Sequence, residues 1–348
     1  MFLQRRQLRP LVLLTRRVAA LGTCLALAGC SKDDSATGPG TLPPSTPGTF
    51  VADAAAAELS VSDIARFWAA VDEYKRSKSA NAFQALYLGH ASPGLVDFVK
   101  ARSITAASLA DMVDRAPTYF AASRVASTAL AGGAVDAQVR SAYSAMKSIY
   151  PETLFPTVTF AFGRFSTAGT IRNNRILLGV EFYYPDNAAA PLDELQSFQK
   201  TNVKPLGKLP IIVAHELVHI LQSRASGIFG KSTLLEQALA EGIADFVGER
   251  ASGDNINAWL RPYGLAHEHE LWVQFQSQMQ GTDVTQWLYN QGSASSNAGD
   301  RPGDLGYFMG YRIAQAYYDR ATDKARAIKE LIEVQNASAL LAASGYNP

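Results

Sequence analysis

Cysteine is almost absent from this chain, which has two among its 348 residues. Both of them, Cys24 and Cys30, lie within the first 30 residues. Residues 31–348 therefore hold no free thiol and form no disulfide. Their stability must come from a hydrophobic core and from any metal ion that they bind.

Runs of basic residues are absent after residue 29. The first 29 residues hold five arginines and no acid, so the formal net charge of +1 conceals a remainder with 27 basic and 31 acidic residues. A remainder of net negative charge without a basic run excludes nucleic acid as an expected partner. Apolar and charged residues make up 47% and 18% of the chain, which are globular proportions and exclude wholesale disorder.

A long apolar run is absent as well. The apolar stretch from Val18 to Ala28 is too short to span a bilayer, and it follows five arginines, as is typical of an export signal. Leu27-Ala28-Gly29-Cys30 resembles the bacterial lipobox. The resemblance implies that residues 1–29 are a signal peptide and that Cys30 carries acyl chains, which anchor the protein in a membrane. Cleavage after Ala28 without lipidation is the alternative, and Arg16-Arg17 leaves twin-arginine export open.

The rest of the chain divides into a tether and one domain. Residue Ser31 is not the aspartate that retains lipoproteins at the inner membrane, so the lipobox resemblance implies the outer membrane of a bacterial envelope, facing the periplasm. Residues 30–50 are rich in Pro, Gly, Ser and Thr, which predicts a flexible tether. The predicted domain, 51–348, has three segments, namely a helical one (51–150), a core (151–253) and a second helical one (254–348).

Hydrophobic periodicity predicts an α+β fold. Apolar side chains at Ile64, Phe67, Trp68 and Val71 recur with helical spacing in the first segment. In the core segment the period changes to the alternation of strands, in one run that follows Pro156 and in a second run over 176–184, after a tight turn at Asn173-Asn174.

The pattern His215-Glu216-Leu217-Val218-His219 is an HExxH motif in an apolar, helical run whose first turn contains Pro210. Positions four apart lie on one face of a helix, so both imidazoles can reach one metal ion. Glu216 is offset by about 100° around the helix axis. Its carboxylate is therefore expected beside the metal, where it could take a proton from metal-bound water. A core helix with hydrogen-bonded histidines is the alternative, and it leaves the acids described next unexplained.

A second helix is predicted to begin at Thr233, which has a glutamate three positions later, and to end near Gly253. Glu241 and Asp245 lie on the same face of this helix, within an apolar run. Two buried carboxylates cost several kcal/mol unless a cation compensates them. A divalent metal with Glu241 as third ligand supplies that cation, and Asp245 can accept a hydrogen bond from a ligand imidazole.

The HELVH helix followed by the Glu-x-x-x-Asp helix resembles the gluzincins, the thermolysin-like metallopeptidase clan. The resemblance is closest to a family of bacterial predicted zinc-dependent proteases, and it covers Phe155–Phe165, Leu209–His219, Leu239–Asp245 and Asp304–Tyr311. It implies a zincin-like core of a small sheet, the HExxH helix and the glutamate helix. It also implies one Zn²⁺ per chain, with the ligands, the water-activating glutamate and the orienting aspartate at His215, His219, Glu241, Glu216 and Asp245.

Further site residues rest on the same resemblance. Gluzincins pair extended substrate with an edge strand upstream of the metal helix, which makes Gly179, Val180 and Glu181 candidate substrate contacts. An ordinary scaffold strand is the alternative. Tyr307 and Tyr311 are candidate oxyanion donors, with core packing as the alternative. Arg312 binds either a substrate carboxylate or an internal acid.

These residues predict an anchored zinc metallopeptidase, which hydrolyses a peptide or protein substrate with a water that zinc and Glu216 activate. One alternative has the same chemistry and acts on non-peptide amides or cell-wall peptides. The other alternative is a non-catalytic zinc-binding envelope lipoprotein with a structural or partner-binding role, like those implicated in gliding motility.

Overall fold

The computed structural model describes residues 42–186, 189–291 and 300–348. The predicted signal peptide (1–29), the predicted lipid site Cys30 and the first part of the tether lie outside these residues. Within them the chain is α+β, as the periodicity predicted. None of the described helices is both long and apolar enough to cross a bilayer.

Helices make up most of the described chain. The α-helices are α1 (Ser62–Ser77), α2 (Asn81–Leu86), α3 (Pro93–Arg102), α4 (Ala106–Arg115), α5 (Pro117–Ala131), α6 (Asp136–Ile149), α7 (Ser197–Asn202), α8 (Leu209–Ala225), α9 (Leu234–Ser252), α10 (Arg261–Ala266), α11 (Glu268–Gln278), α12 (Leu305–Arg320), α13 (Lys324–Ile332) and α14 (Ala337–Ser344). The strands are β1 (Phe50–Val51), β2 (Leu59–Ser60), β3 (Phe155–Ala161), β4 (Gly169–Arg172), β5 (Arg175–Gly179), β6 (Tyr183–Tyr184) and β7 (Lys204–Pro205).

The main sheet is small and largely enclosed. Its order is β1-β3-β5-β4, and β2 also pairs with β3. Strands β3 and β5 are parallel and buried along their whole length, and helix α8 packs against β3, β4 and β5. Asn173 and Asn174 form the predicted two-residue turn between β4 and β5, with φ of 47° and 60°. β4 is at one edge of the sheet, and it packs against α8.

The two central helices begin and end at the predicted signals. Helix α8 has Pro210 in its first turn and is buried from Leu209 to Gln222. At the start of α9, the Thr233 hydroxyl accepts a hydrogen bond from the Glu236 N–H, while the Glu236 carboxylate accepts one from the Thr233 N–H. Gly253, with φ of 81°, ends α9 in the left-handed conformation that glycine adopts without steric cost.

A close helix contact brings α12 onto α9. A Cβ atom added to Gly310 would lie 1.7 Å from the Ala238 carbonyl oxygen, and one added to Gly242 would lie 2.1 Å from the Tyr311 nitrogen. Both contacts involve backbone atoms, so no rotamer change relieves them. This glycine pair lets α12 approach close enough to place Tyr307 beside the helices that carry the HExxH and Glu241 side chains.

The last part of the predicted tether is bound to the domain. The buried Asp97 carboxylate accepts hydrogen bonds from Arg175 at 2.8 Å and from the Ser45 hydroxyl at 2.9 Å. Arg175 also donates to the Thr46 carbonyl at 2.7 Å. The Gly48 N–H donates to Asn173 at 2.7 Å, just before β1 joins the sheet. Residues 45–48 of the predicted tether are therefore held against the domain.

Candidate metal centre

The structure brings His215, His219 and Glu241 together between α8 and α9. The two histidine Nε2 atoms are 3.1 Å apart. Glu241 Oε2 lies 3.1 Å from His219 Nε2 and 3.4 Å from His215 Nε2. One ligand atom from each residue lies within 4.8 Å of the other two. The i, i+4 spacing on α8 and the facing position on α9 thus produce the triangle that the sequence predicted.

In each histidine, the hydrogen-bond partner of Nδ1 determines whether Nε2 of the neutral ring carries a proton or a lone pair. His215 Nδ1 lies 2.9 Å from Asp245, whose carboxylate only accepts, so this nitrogen donates. Gln222 gives its amide N–H to the Ala240 carbonyl and therefore turns its oxygen to His219 Nδ1, at 2.9 Å. With both Nδ1 atoms protonated, the two neutral rings direct lone pairs at each other and at the Glu241 carboxylate. Such an arrangement repels itself unless a proton or a metal ion lies between the three atoms.

The spacing fits a zinc ion. Two ligand atoms at about 2.0–2.1 Å from a tetrahedral zinc ion are about 3.3 Å apart, and the three separations here are 3.1, 3.1 and 3.4 Å. Without a metal, burial lowers the pKa of His215, but its hydrogen bonds to Asp245 and Glu241 outweigh burial and leave this pKa well above its ordinary range. A metal must therefore displace a proton from the cluster when it binds.

Glu216 lies on α8, away from solvent. Glu216 is 7% exposed, and its burial raises the pKa of the carboxyl. A Cβ atom added to Gly169 would lie 2.5 Å from Glu216 Oε1, so the start of β4 lies directly against this carboxyl. A side chain at position 169 would therefore displace the Glu216 carboxyl from its present place.

The C-terminal candidates separate into one near the cluster and two away from it. The Tyr307 ring lies 6.5 Å from the His215 ring, centroid to centroid. Tyr311 instead packs 5.4 Å from Phe246 and hydrogen-bonds to Glu249, on another side of α9, which agrees with the core-packing alternative. Arg312 donates to Glu268 at 2.6 Å, which is the internal-acid alternative rather than a substrate contact.

The predicted substrate strand is not an edge strand in this structure. Gly179 ends β5, which lies between β3 and β4, and Val180 and Glu181 begin a buried 3-10 helix. The Glu181 carboxylate accepts hydrogen bonds from the Gly163 and Phe165 N–H groups, at 2.8 and 3.0 Å. Alternation over 176–184 could not distinguish an edge strand from an interior one, because both faces of β5 are apolar.

Buried Glu181 predicts a pH dependence of stability. Burial raises its pKa from 4.5 to about 7, although both backbone N–H groups lower it. The native state therefore binds this proton more tightly than the unfolded state does, and stability falls as pH rises from about 4.5 through about 7. We expect the free energy of unfolding in urea to lose roughly 3 kcal/mol from this group between these limits. The Glu181→Gln variant should lack that part of the slope, and parallel pH profiles would contradict the assignment.

Three residues of the centre were missed by sequence reasoning. Gln222 orients His219, and Asn257 donates to Asp245 Oδ2 at 2.9 Å. The Tyr289 hydroxyl donates to Glu241 Oε1 at 2.9 Å. Gln222, three positions after His219 on the same helix, could have been found from spacing. Asn257 and Tyr289 come from connecting segments, and no local pattern marks them.

The fold and this cluster define an α+β protein with a His-His-Glu centre of metal-ligand type between two central helices. A comparison with protein families matches residues 60–348 to the family described as Gliding motility protein GldB. The chain belongs to this family of gliding motility lipoproteins, which indicates a place in the cell envelope. No curated protein and no solved structure matches the chain in the corresponding comparisons.

The family match corrects the predicted identity. The gluzincin metallopeptidase family was wrong, because the chain matches a gliding motility lipoprotein family and not a peptidase family. The prediction of a zinc metallopeptidase, a hydrolase acting on peptides, is overturned by the same finding. The non-catalytic lipoprotein alternative agrees better with the match. The motif misled because the spacing of its candidate ligands is the same in a protein that catalyses a reaction and in one that does not.

Proposed function

We propose that the protein is a non-catalytic envelope lipoprotein that binds a protein partner, that its His215, His219 and Glu241 hold one zinc ion, and that this ion fixes α8 to α9. The proposed metal site is supported by the triangle of ligand atoms, whose sides are 3.1–3.4 Å long. Both histidine Nδ1 atoms already form hydrogen bonds, which leaves the Nε2 atoms for the metal. The family match supports the absence of catalysis and the protein partner.

The enclosure of the cluster supports a structural role. The side chains of His215, His219 and Glu241 are 11%, 7% and 13% exposed. Zinc would offset the charge of Glu241 in this enclosed place, and the cross-link between two helices would resist their separation. The small sheet beside α8 and α9 favours a zincin-like core that has kept the metal. Lipid at Cys30 and a place at the outer membrane are parts of the same proposal.

Zinc content and peptide hydrolysis, measured together, test this function. The full-length protein, purified in mild detergent, is expected to contain one zinc ion per chain by elemental mass spectrometry and to leave a peptide library uncut. Glu216→Gln is the matched variant because this carboxyl touches β4 rather than the ligand triangle. It is expected to keep the zinc and the stability of the parent.

The partner role is tested by cross-linking in intact cells. The parent and Glu216→Gln are expected to give the same cross-linked envelope proteins, whereas Glu241→Ala, without zinc, loses them. A folded parent that takes up no zinc overturns the metal part of the proposal. Hydrolysis by the parent that disappears in Glu216→Gln overturns the non-catalytic part.

A further inference from the structure

Tyr289 lies at the surface and yet bonds to the enclosed cluster. The residue is 54% exposed, while the preceding Leu288 is 1% exposed. The following residue, Asn290, exchanges two hydrogen bonds with Asp304, at 2.9 and 2.7 Å. The backbone of Tyr289 is therefore fixed on both sides, and only its side chain has a choice of direction.

The backbone of Tyr289 is held in an uncommon conformation. Its φ is 57°, in the left-handed region that residues with a side chain rarely adopt. Asn290 and the buried Leu288 hold it there from either side. Strain of this kind persists where the surroundings over-determine it, often beside a functional group. The consequence here is that the phenol reaches the cluster.

The two oxygens of Glu241 have separate partners. Oε2 faces the two histidine Nε2 atoms, at 3.1 and 3.4 Å. Oε1 accepts the Tyr289 hydroxyl at 2.9 Å. Turning the carboxylate so that both oxygens face the metal would move Oε1 away from its present position beside the Tyr289 hydroxyl. Tyr289 thus determines which oxygen of Glu241 faces the ligand position.

A second tyrosine stands beside the first. The rings of Tyr289 and Tyr307 meet edge to face, with centroids 6.4 Å apart, and Tyr307 lies next to the His215 ring. The two phenol rings cover the side of the cluster that faces α12. The Tyr289 hydroxyl therefore reaches Glu241 beside apolar ring surface, where a hydrogen bond to a carboxylate is stronger than in open water.

We propose that Tyr289 is a positioning residue of the metal centre, which holds Glu241 in single-oxygen coordination through its hydroxyl. This inference rests on the proposed zinc site. Partners that orient a metal ligand typically contribute tenfold to a hundredfold in metal affinity. The Tyr289→Phe variant removes one hydroxyl and leaves the backbone and the ring in place. We expect it to bind zinc roughly 10–100 times more weakly than the parent in a chelator competition.

Two further readings distinguish positioning from general support of the fold. The metal-free variant should unfold at the temperature of the metal-free parent, because Tyr289 is half exposed and its hydroxyl is not part of the core. Cobalt substituted for zinc should show altered visible bands in the variant, since Glu241 can then offer both oxygens and change the coordination number. Tyr311→Phe is the matched control, because its hydroxyl bonds to Glu249 instead.

The outcomes separate this inference from the proposed function. Weaker zinc binding with altered cobalt bands in Tyr289→Phe, but not in Tyr311→Phe, supports positioning. Affinity within a factor of about two of the parent, with unchanged bands, overturns positioning and leaves the zinc site standing. An affinity loss matched by a lower melting temperature of the metal-free variant also overturns it. A parent without zinc removes both proposals.

Discussion

Replacing Arg175 by Met is expected to lower the free energy of unfolding by about 3–5 kcal/mol, since it leaves a buried carboxylate without its cation. Asp97 is 0% exposed and Arg175 is 8% exposed, measured on their side chains, and their ion pair is 2.8 Å long. Ser45 and Asn173 also donate hydrogen bonds to the Asp97 carboxylate, but neither side chain is charged. Urea unfolding of the parent and the variant measures the difference.

The N-terminal segment gives this prediction a second readout. Arg175 donates to the Thr46 carbonyl, so its loss should loosen residues 42–48 from the domain and expose them to limited proteolysis. Arg326→Met is the matched control, because Arg326 is 73% exposed and pairs with Glu330 one helical turn away. Such an exposed pair is screened by water and contributes little to stability. Equal losses in the two variants would show that burial of the Asp97 pair has no special weight.

Elements specified by local signals were predictable from the sequence. Helices α8 and α9 follow from Pro210, the Thr233 capping box and Gly253, and the β4–β5 hairpin follows from its two asparagines. Strand position within the sheet was not predictable, because β5 is apolar on both faces and its neighbours come from distant parts of the chain. The Asp97–Arg175 pair, 78 residues apart, is invisible to local patterns for the same reason.

The ligand triangle was predictable and its function was not. His215, His219 and Glu241 lie on helices whose faces follow from spacing, and the buried carboxylate called for a cation. Tyr289 lies 48 residues from Glu241 and needed the folded chain to be found. Holding a metal is a matter of three atoms, whereas turnover also depends on open space, a bound substrate and solvent access. The motif specifies the ligand atoms and carries no information on space, substrate or solvent access.

Removing zinc is expected to lower stability by about 4 kcal/mol when free zinc had been held at about a thousand times its dissociation constant. In a domain of this size that corresponds to a fall in melting temperature on the order of 10 °C. The proposed cause is the bridge that zinc would form between α8 and α9, because without the ion two imidazoles and a carboxylate must share protons in an enclosed site. Differential scanning calorimetry with and without a chelator, followed by zinc re-addition, measures the change.

Glu241→Gln isolates the ligand from the rest of the helix. The amide has the shape of the carboxylate, so core packing is kept, but it loses the charge that draws zinc and the strong acceptor at Oε2. We expect this variant to melt at the temperature of the chelated parent and to show no response to zinc. Glu216→Gln, one residue from His215, should respond as the parent does. A parent whose melting temperature is the same with one bound zinc and with none would mean that the ion does not join the helices energetically, and the role of the centre would then lie in partner binding alone.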